Sequence, residues 1–282
     1  MLGAYILNVL KSLIFGLVEG ITEWLPISST GHLIILEKFF QFDNVSEGFF
    51  DMFLVVIQLG AIIAVVVMFW NKLCPLKLVD KNGSKQITIH KGIINLWTKV
   101  IVGCIPAGIL GLIFDDLLDK YLYNHITVAI TLILYGVLFI VVEFMNKRRK
   151  PRIRKLTQLT YKDALIMGAC QSLALIPGTS RSGATILGGI FFGASRRVAS
   201  EFSFFLAIPV MLGASLLKVI KFGLDFTPNE LVILIDGMIA AFTVSLLAIR
   251  VLMNYIKKHN FNVFGIYRII LGIIVLLVLK GN

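Results

Sequence analysis

This chain is short of acid: 16 of its 282 residues are Asp or Glu, against 27 Lys and Arg. Charged residues of either sign make up only 15%, while hydrophobic ones make up 57%. A soluble domain carries about 25% charged residues, so the deficit excludes a water-soluble globular protein and leaves a polytopic membrane protein. Cysteine is nearly missing as well. Cys74, Cys104 and Cys170 stand far apart, two of them in apolar segments, which excludes a disulfide framework and a thiolate metal site. No cleavable leader is expected either. The opening has neither a basic leader nor a small-residue cleavage site, and its apolar run carries Glu19 and Glu23. The net charge of +11 would suit nucleic acid, but its placement along the chain argues for topology instead.

Long apolar segments are plentiful. Six stretches, roughly 49–70, 93–114, 124–145, 198–217, 230–254 and 261–280, reach the length of about 20 residues that a bilayer crossing needs. Two regions, 1–40 and 162–195, break the pattern. Each is an apolar helix interrupted by Pro, Gly, Ser and Thr and then resumed, which reads as a re-entrant hairpin. Such backbone is tolerated at membrane depth only where protein buries it or it lines a cavity.

The first break reads Glu19-Gly-Ile-Thr-Glu23-Trp-Leu-Pro26-Ile-Ser28-Ser29-Thr30-Gly31-His32. A charge near a helix centre costs roughly 2.5–3.5 kcal/mol by insertion scales, so two acids here point to a wet cavity or a polar ligand. Glu19 and Glu23 are four apart and share a helix face. Pro26 stops that helix. The hydroxyl run then suits the N-cap of a second helix, whose free N–H groups and dipole favour phosphate.

The second break, Pro177-Gly-Thr179-Ser180-Arg181-Ser182-Gly-Ala-Thr185, sets glycine and hydroxyls before a helix, as in a backbone nest for an anion. Arg181 lies in its middle and can grip phosphate oxygens with two donors. If the hairpins meet tip to tip, two acids, an imidazole, an arginine and about seven hydroxyls share one cavity. Two carboxylates beside hydroxyls can hold a hard divalent cation with a phosphate ligand. Spacing alone leaves phosphoryl transfer and phosphate transport both open.

The breaks also align. Gly16 matches Gly168, Glu19 matches Gln171, Ser28 matches Ser180, Thr30 matches Ser182 and Gly31 matches Gly183, all at a shift of 152. Phe53-Leu54 before Leu59-Gly60-Ala61 likewise matches Phe205-Leu206 before Leu212-Gly213-Ala214 after one inserted residue. The expected fold is therefore an all-α polytopic integral membrane protein with an inverted-topology repeat. Each half holds one re-entrant hairpin and three transmembrane helices, giving six spans and two hairpins. The chain reads as one membrane domain, 1–282: a first repeat at about 1–146, a basic loop at 147–160 and a second repeat at about 161–282.

Loop charge sets the orientation. Lys147, Arg148, Arg149, Lys150, Arg152, Arg154 and Lys155 crowd one loop. Lys72, Lys77, Lys81, Lys85 and Lys91 mark another, and Lys257-Lys258 a third. The acidic Asp115, Asp116 and Asp119 lie between. With both termini outside, all basic loops are cytoplasmic, as the positive-inside rule requires, and nucleic acid is not expected as a partner. His90, His125 and His259 fall at loop or helix-end positions. Trp24 reads as a lining of the lipid entrance or an interfacial anchor, and Pro106 and Pro209 as helix kinks. Gln58, Asp236 and Arg268 are polar groups inside spans with no role assigned.

The two breaks resemble the two signatures of the bacterial undecaprenyl-diphosphate phosphatases of the bacitracin-resistance type, without a departure inside either. The resemblance implies a multi-pass enzyme of the bacterial plasma membrane. Its activity would remove the terminal phosphate of undecaprenyl diphosphate, recycling the lipid carrier of cell-wall polymers. It further implies a divalent metal, Mg2+ or Ca2+, and a site opening to the outer face. Carried onto this sequence, it makes Ser29 the preferred nucleophile, with His32 as the alternative one. Glu23 or His32 acts as base, and Glu19 and Glu23 hold the metal. Arg181, with Ser28, Thr30, Thr179, Ser180, Ser182 and Thr185, clamps the diphosphate. The expected partners are the polyprenyl diphosphate and the membrane, with a homodimer admitted. The competing reading is a polyprenyl-phosphate flippase or ion-coupled transporter on the same repeat.

Overall fold

The computed structural model describes residues 2–81 and 84–279. Among the described residues twelve α-helices run in this order: α1 (Leu2–Thr22), α2 (Ser29–Phe39), α3 (Phe49–Val56), α4 (Gln58–Met68), α5 (Trp70–Leu73), α6 (Lys91–Leu122), α7 (His125–Asn146), α8 (Tyr161–Ser172), α9 (Arg181–Phe191), α10 (Arg196–Phe222), α11 (Pro228–Tyr255) and α12 (Asn262–Leu279). Between α5 and α6 a short antiparallel hairpin joins β1 (Leu76–Lys81) to β2 (Ser84–Ile89), with Leu76 opposite Ile89.

Seven helical segments among the described residues are long and apolar enough to cross a bilayer. Six match the expected spans, with α3 and α4 forming one broken crossing at Phe49–Met68. The seventh is α1, expected as one arm of a hairpin; its 21 residues outrun the 12 of its counterpart α8. The difference is physical. No proline breaks the largely apolar run before Glu19, in which Asn8, Lys11 and Ser12 are the polar exceptions, whereas Pro151 and the Thr160–Asp163 capping box start α8 late. The hairpin at 76–89 falls in a stretch whose lysines mark it as a basic loop in the sequence. Side chains at Lys81, Lys85, Asp115, Asp116 and Asp119 lie outside the described ones.

Helix starts follow the sequence signals. Asn124 caps α7, Ser195 caps α10, and Thr227 with Glu230 forms a capping box on α11 behind Pro228. Pro106 and Pro209 lie inside α6 and α10. His90 and His125 flank helix starts, and His259 follows α11.

Packing is reciprocal between the two parts of the chain. Helix α1 lies on α11 and α8 on α6; α2 touches α12 and α9 touches α7; α4 packs on α11 and α10 on α6. In a bilayer helices gain little from apolar contact alone, so close backbone approach carries the packing. A Cβ on Gly16 would stand 2.3 Å from the Gly237 carbonyl oxygen, and one on Gly168 only 1.8 Å from that of Gly103. Only glycine fits these seams. They bring both breaks into the bundle centre, under a buried cluster that includes Trp24, Phe204 and Phe205.

Candidate active site

Both breaks turn the chain the same way. Ser28 and Ser180 precede α2 and α9 at φ 72° and 70°, a left-handed conformation that is costly for a residue with a Cβ. Each serine oxygen accepts a backbone N–H three residues on, from Gly31 and Gly183. Capping and strain therefore sit on the same residue. Gly178, at φ 85°, passes so close to α7 that a Cβ would stand 2.2 Å from the Thr131 hydroxyl.

Glu23 joins the two breaks. Its Oε2 accepts the Ser29 hydroxyl at 2.8 Å. Its Oε1 accepts Nη2 of Arg181 at 3.0 Å and Nε at 3.2 Å, a pair buried on both sides. Removing one partner from such a pair leaves an uncompensated charge. The third arm of Arg181, Nη1, donates to the Ser203 carbonyl at 2.8 Å, and Cζ lies 5.6 Å from the centre of the Trp24 ring. Trp24 is fully buried and packs edge-on against Phe204. It is neither an interfacial anchor nor a lining of the entrance, because the ring is the platform beneath the guanidinium. Ser182 donates its hydroxyl to the Glu23 carbonyl at 3.0 Å, a further tie between the breaks.

These groups border a cavity of about 190 Å³. Its walls include Glu23, Ser29, Thr30, Ser180 and Arg181, together with Gln58 and Gln171. Of the other expected ligands, Ser28 caps α2, Thr185 donates back to the Arg181 carbonyl at 2.8 Å, and Ser182 is committed to Glu23. Thr179 is fully buried with its hydroxyl unpartnered. Gln171 is buried too, and both ends of its amide lack a hydrogen-bond partner. Asp236 accepts the Ser12 hydroxyl at 2.6 Å and stands apart from the site.

His32 faces elsewhere. Its Nδ1 lies 2.7 Å from the Ser28 carbonyl, and a carbonyl can only accept, so Nδ1 carries the hydrogen. Its Nε2 lies 2.7 Å from the Tyr267 hydroxyl, and the two rings stack. The acceptor beside the Ser29 hydroxyl is thus the Glu23 carboxylate, while His32 braces the strained cap.

Arg268, which sequence reasoning left without a role, ties the two breaks from behind. It is fully buried. It donates to the carbonyls of Pro26 (3.3 Å), Gly178 (2.9 Å) and Thr179 (2.9 Å), and stacks over Tyr135. The available signal was a lone cation deep in a span with no acid within a turn of it.

Glu19 is fully buried, and both of its carboxylate oxygens lack a partner. A bare carboxylate in such a place asks for a cation. Among the described residues no group of three or more His, Cys, Asp and Glu converges. A hard metal here would rely on Glu19 and Glu23 plus hydroxyls, water and phosphate oxygens, the donor set Mg2+ accepts.

Two helix N-termini, an arginine and a hydroxyl held on a carboxylate, all at membrane depth, define an integral membrane protein built to act on a phosphate-bearing ligand. Residues 12–274 match the family described as bacitracin resistance protein BacA, and the chain belongs to that family. It is 58% identical to an undecaprenyl-diphosphatase of Acetivibrio thermocellus, over 96% of this chain and 97% of the relative. Undecaprenyl-diphosphatases of Enterococcus faecalis (57%; 96% and 97% covered) and Streptococcus mutans (54%; 95% of each) are similarly close.

Proposed function

We propose that this chain is an undecaprenyl-diphosphate phosphatase, a membrane hydrolase that returns undecaprenyl phosphate to cell-wall polymer synthesis and thereby supports bacitracin resistance. The observation that carries the chemistry is Glu23, with one oxygen on the Ser29 hydroxyl and the other on Arg181. Ser29 Oγ attacks the distal phosphorus while Glu23 Oε2 takes its proton. The bond from that phosphorus to the bridging oxygen breaks, Glu23 passes the proton to the departing phosphate oxygen, and undecaprenyl phosphate leaves with the carboxylate restored. Water, deprotonated by the restored carboxylate, then attacks the phosphoserine phosphorus; the P–Oγ bond breaks, inorganic phosphate leaves, and Glu23 returns the proton to Ser29 Oγ. Arg181, Ser180, Thr30 and the N-termini of α2 and α9 hold the non-bridging oxygens, where charge builds in the transition state. Glu19 and Glu23 would hold Mg2+ or Ca2+, which supplies charge neutralisation on the diphosphate.

The chain forms one membrane domain in the bacterial plasma membrane, its two repeats inverted about the paired breaks. Basic loops on the cytoplasmic side support a cavity in the outer half. Ala107, in its wall, lies about 24 Å along α6 from Lys91, past the midplane of a core about 30 Å thick. Any homodimer would leave this cavity intact, since all the residues above come from one chain.

The test is phosphate release from undecaprenyl diphosphate by purified protein, with and without chelator, beside Ser29→Ala and His32→Ala. Release should need the metal, and Ser29→Ala should lower it at least about a hundredfold. Near-normal turnover in Ser29→Ala with none in His32→Ala would replace the serine by the histidine. No release from folded wild type with metal present would leave the transporter reading.

A further inference from the structure

A second cavity, of about 260 Å³, lies between α7 and α9 and shares no lining residue with the reaction cavity. Its walls are Tyr135, Leu138, Val141, Val142 and Met145 from α7, with Leu187, Phe191 and Phe192 opposite, over a floor of Ala184, Gly188 and Cys170. No lining residue is charged. From Tyr135 to Met145 the groove runs about 15 Å along α7. Space of this kind stays dry, and in a bilayer hydrocarbon fills it.

One end of the groove is basic. Met145 lines it, and Asn146 ends α7 just before Lys147, Arg148, Arg149 and Lys150, all exposed. On the other wall, Phe192 is followed by Gly193, whose carbonyl accepts the Ile153 N–H at 3.0 Å, so the basic loop closes over the groove end. The acids near this end are already used. Glu143 holds Arg196, Asp163 holds Arg152, and Glu201 holds Lys72 and Arg197. Among the described residues the four consecutive cations form no ion pair. An apolar slot about half a bilayer long, ending under four unpaired cations at the headgroup level, matches one ligand chemistry: an acyl chain carrying a phosphate.

We propose that this groove seats one chain of an anionic glycerophospholipid from the leaflet beside the basic loop, with its phosphate on the Lys147–Lys150 turn. The site is separate from the reaction cavity and does not depend on the phosphatase reading. Topology alone would explain the cations but not the groove, and generic lipid contact would explain the groove but not a preference for acidic headgroups.

The experiment is native mass spectrometry of the delipidated full chain in neutral detergent, titrated with phosphatidylglycerol or with phosphatidylcholine of the same chains. One phosphatidylglycerol should be retained with at least about a tenfold preference, as two or more cations near an anionic headgroup give. Arg148→Gln/Arg149→Gln, which keeps the rest of the basic loop, should remove most of that preference, and so should raised salt. Val141→Trp, which fills the groove from an exposed wall position, should lower retention of both lipids; Leu138→Trp gives the same reading if that variant does not fold. Equal retention of the two lipids, an unchanged preference in the double variant, or unchanged retention in the tryptophan variant would each overturn the proposal.

Discussion

Gly168→Ala tests how far the reaction cavity depends on the seam between α6 and α8. The new methyl would stand 1.8 Å from the Gly103 carbonyl oxygen, and the Gly103 carbonyl carbon and Cα would follow at 2.7 and 2.9 Å. All three atoms are backbone, so no rotamer change relieves them. Contacts below 3.0 Å are not tolerated, and the helices must part by at least about an ångström. Overpacking of this kind costs about 1–3 kcal/mol, against roughly 0.5–1 kcal/mol that alanine returns inside a helix. A net loss of about 1–2 kcal/mol is expected, enough to lower the melting midpoint but not to unfold the chain. Activity should suffer more. Helix α8 carries Gln171 one turn further on and leads directly into the break that delivers Arg181 to Glu23. An ångström of misplacement in such a site can cost about a hundredfold. The assay pairs phosphate release with thermal unfolding, and Gly213→Ala in α10, where a Cβ meets nothing within 4 Å, serves as the control. Turnover of Gly168→Ala within twofold of wild type would refute the view that this seam holds the cavity together.

Arg268→Met should cost more in turnover than in stability, because two strong bonds to the Gly178 and Thr179 carbonyls disappear while a buried, acid-free cation is relieved. About a hundredfold loss with a midpoint shift of a few degrees is expected, with partial rescue by Arg268→Lys; an unaffected kcat would remove Arg268 from the site's framework. Glu19→Gln should raise the Mg2+ concentration for half-maximal activity at least about tenfold and also raise thermal stability, since its carboxylate is buried without a partner. An unchanged metal response would free Glu19 from that role. At Asp163 burial pushes the carboxyl up, but the Arg152 guanidinium and the Thr160 backbone and hydroxyl outweigh it and hold it below its ordinary value. A depressed folded value means stabilisation that is full above the unfolded value near 3.9 and fades as pH falls through the folded one. The melting difference between wild type and Asp163→Asn should therefore be flat from pH 5 to 7 and shrink in acid; a difference growing in acid would contradict the assignment.

Much of the fold was legible because hydrocarbon admits few solutions. Apolar runs of span length had to be helices, and Pro26 and Pro177 within such runs had to mark breaks with a purpose. The meeting of the two breaks at the candidate site was legible for the same reason, as acids and an arginine stand in segments where charge is costly. What sequence could not deliver were pairings across the chain. Nothing near His32 announces that Tyr267, 235 residues away, takes its ring nitrogen. Nor does the Thr185 hydroxyl reveal that its own helix claims it. The length of α1 was underread because the polar cluster drew the boundary of the hairpin, although the helix before it is uninterrupted. In β1 and β2, alternation such as Leu76-Lys77-Leu78 and Ile87-Thr88-Ile89 was present, but five lysines made the stretch look like a plain connection.

The ion pair between Glu23 and Arg181 spans 158 positions, and that distance is also a delay. At ribosomal rates of about 5–20 residues per second, Glu23 enters the membrane roughly 8–30 s before its partner exists. Arg268, which holds the two breaks together, is made later still. Through that interval the first hairpin is an incomplete half with two buried acids, and it must wait at a wet surface, at the insertion machinery or with its carboxyls protonated. Biogenesis, rather than the finished bundle, is therefore where this architecture is most exposed. Expression yield should respond to slowed translation between the two breaks more than to slowing anywhere else in the chain.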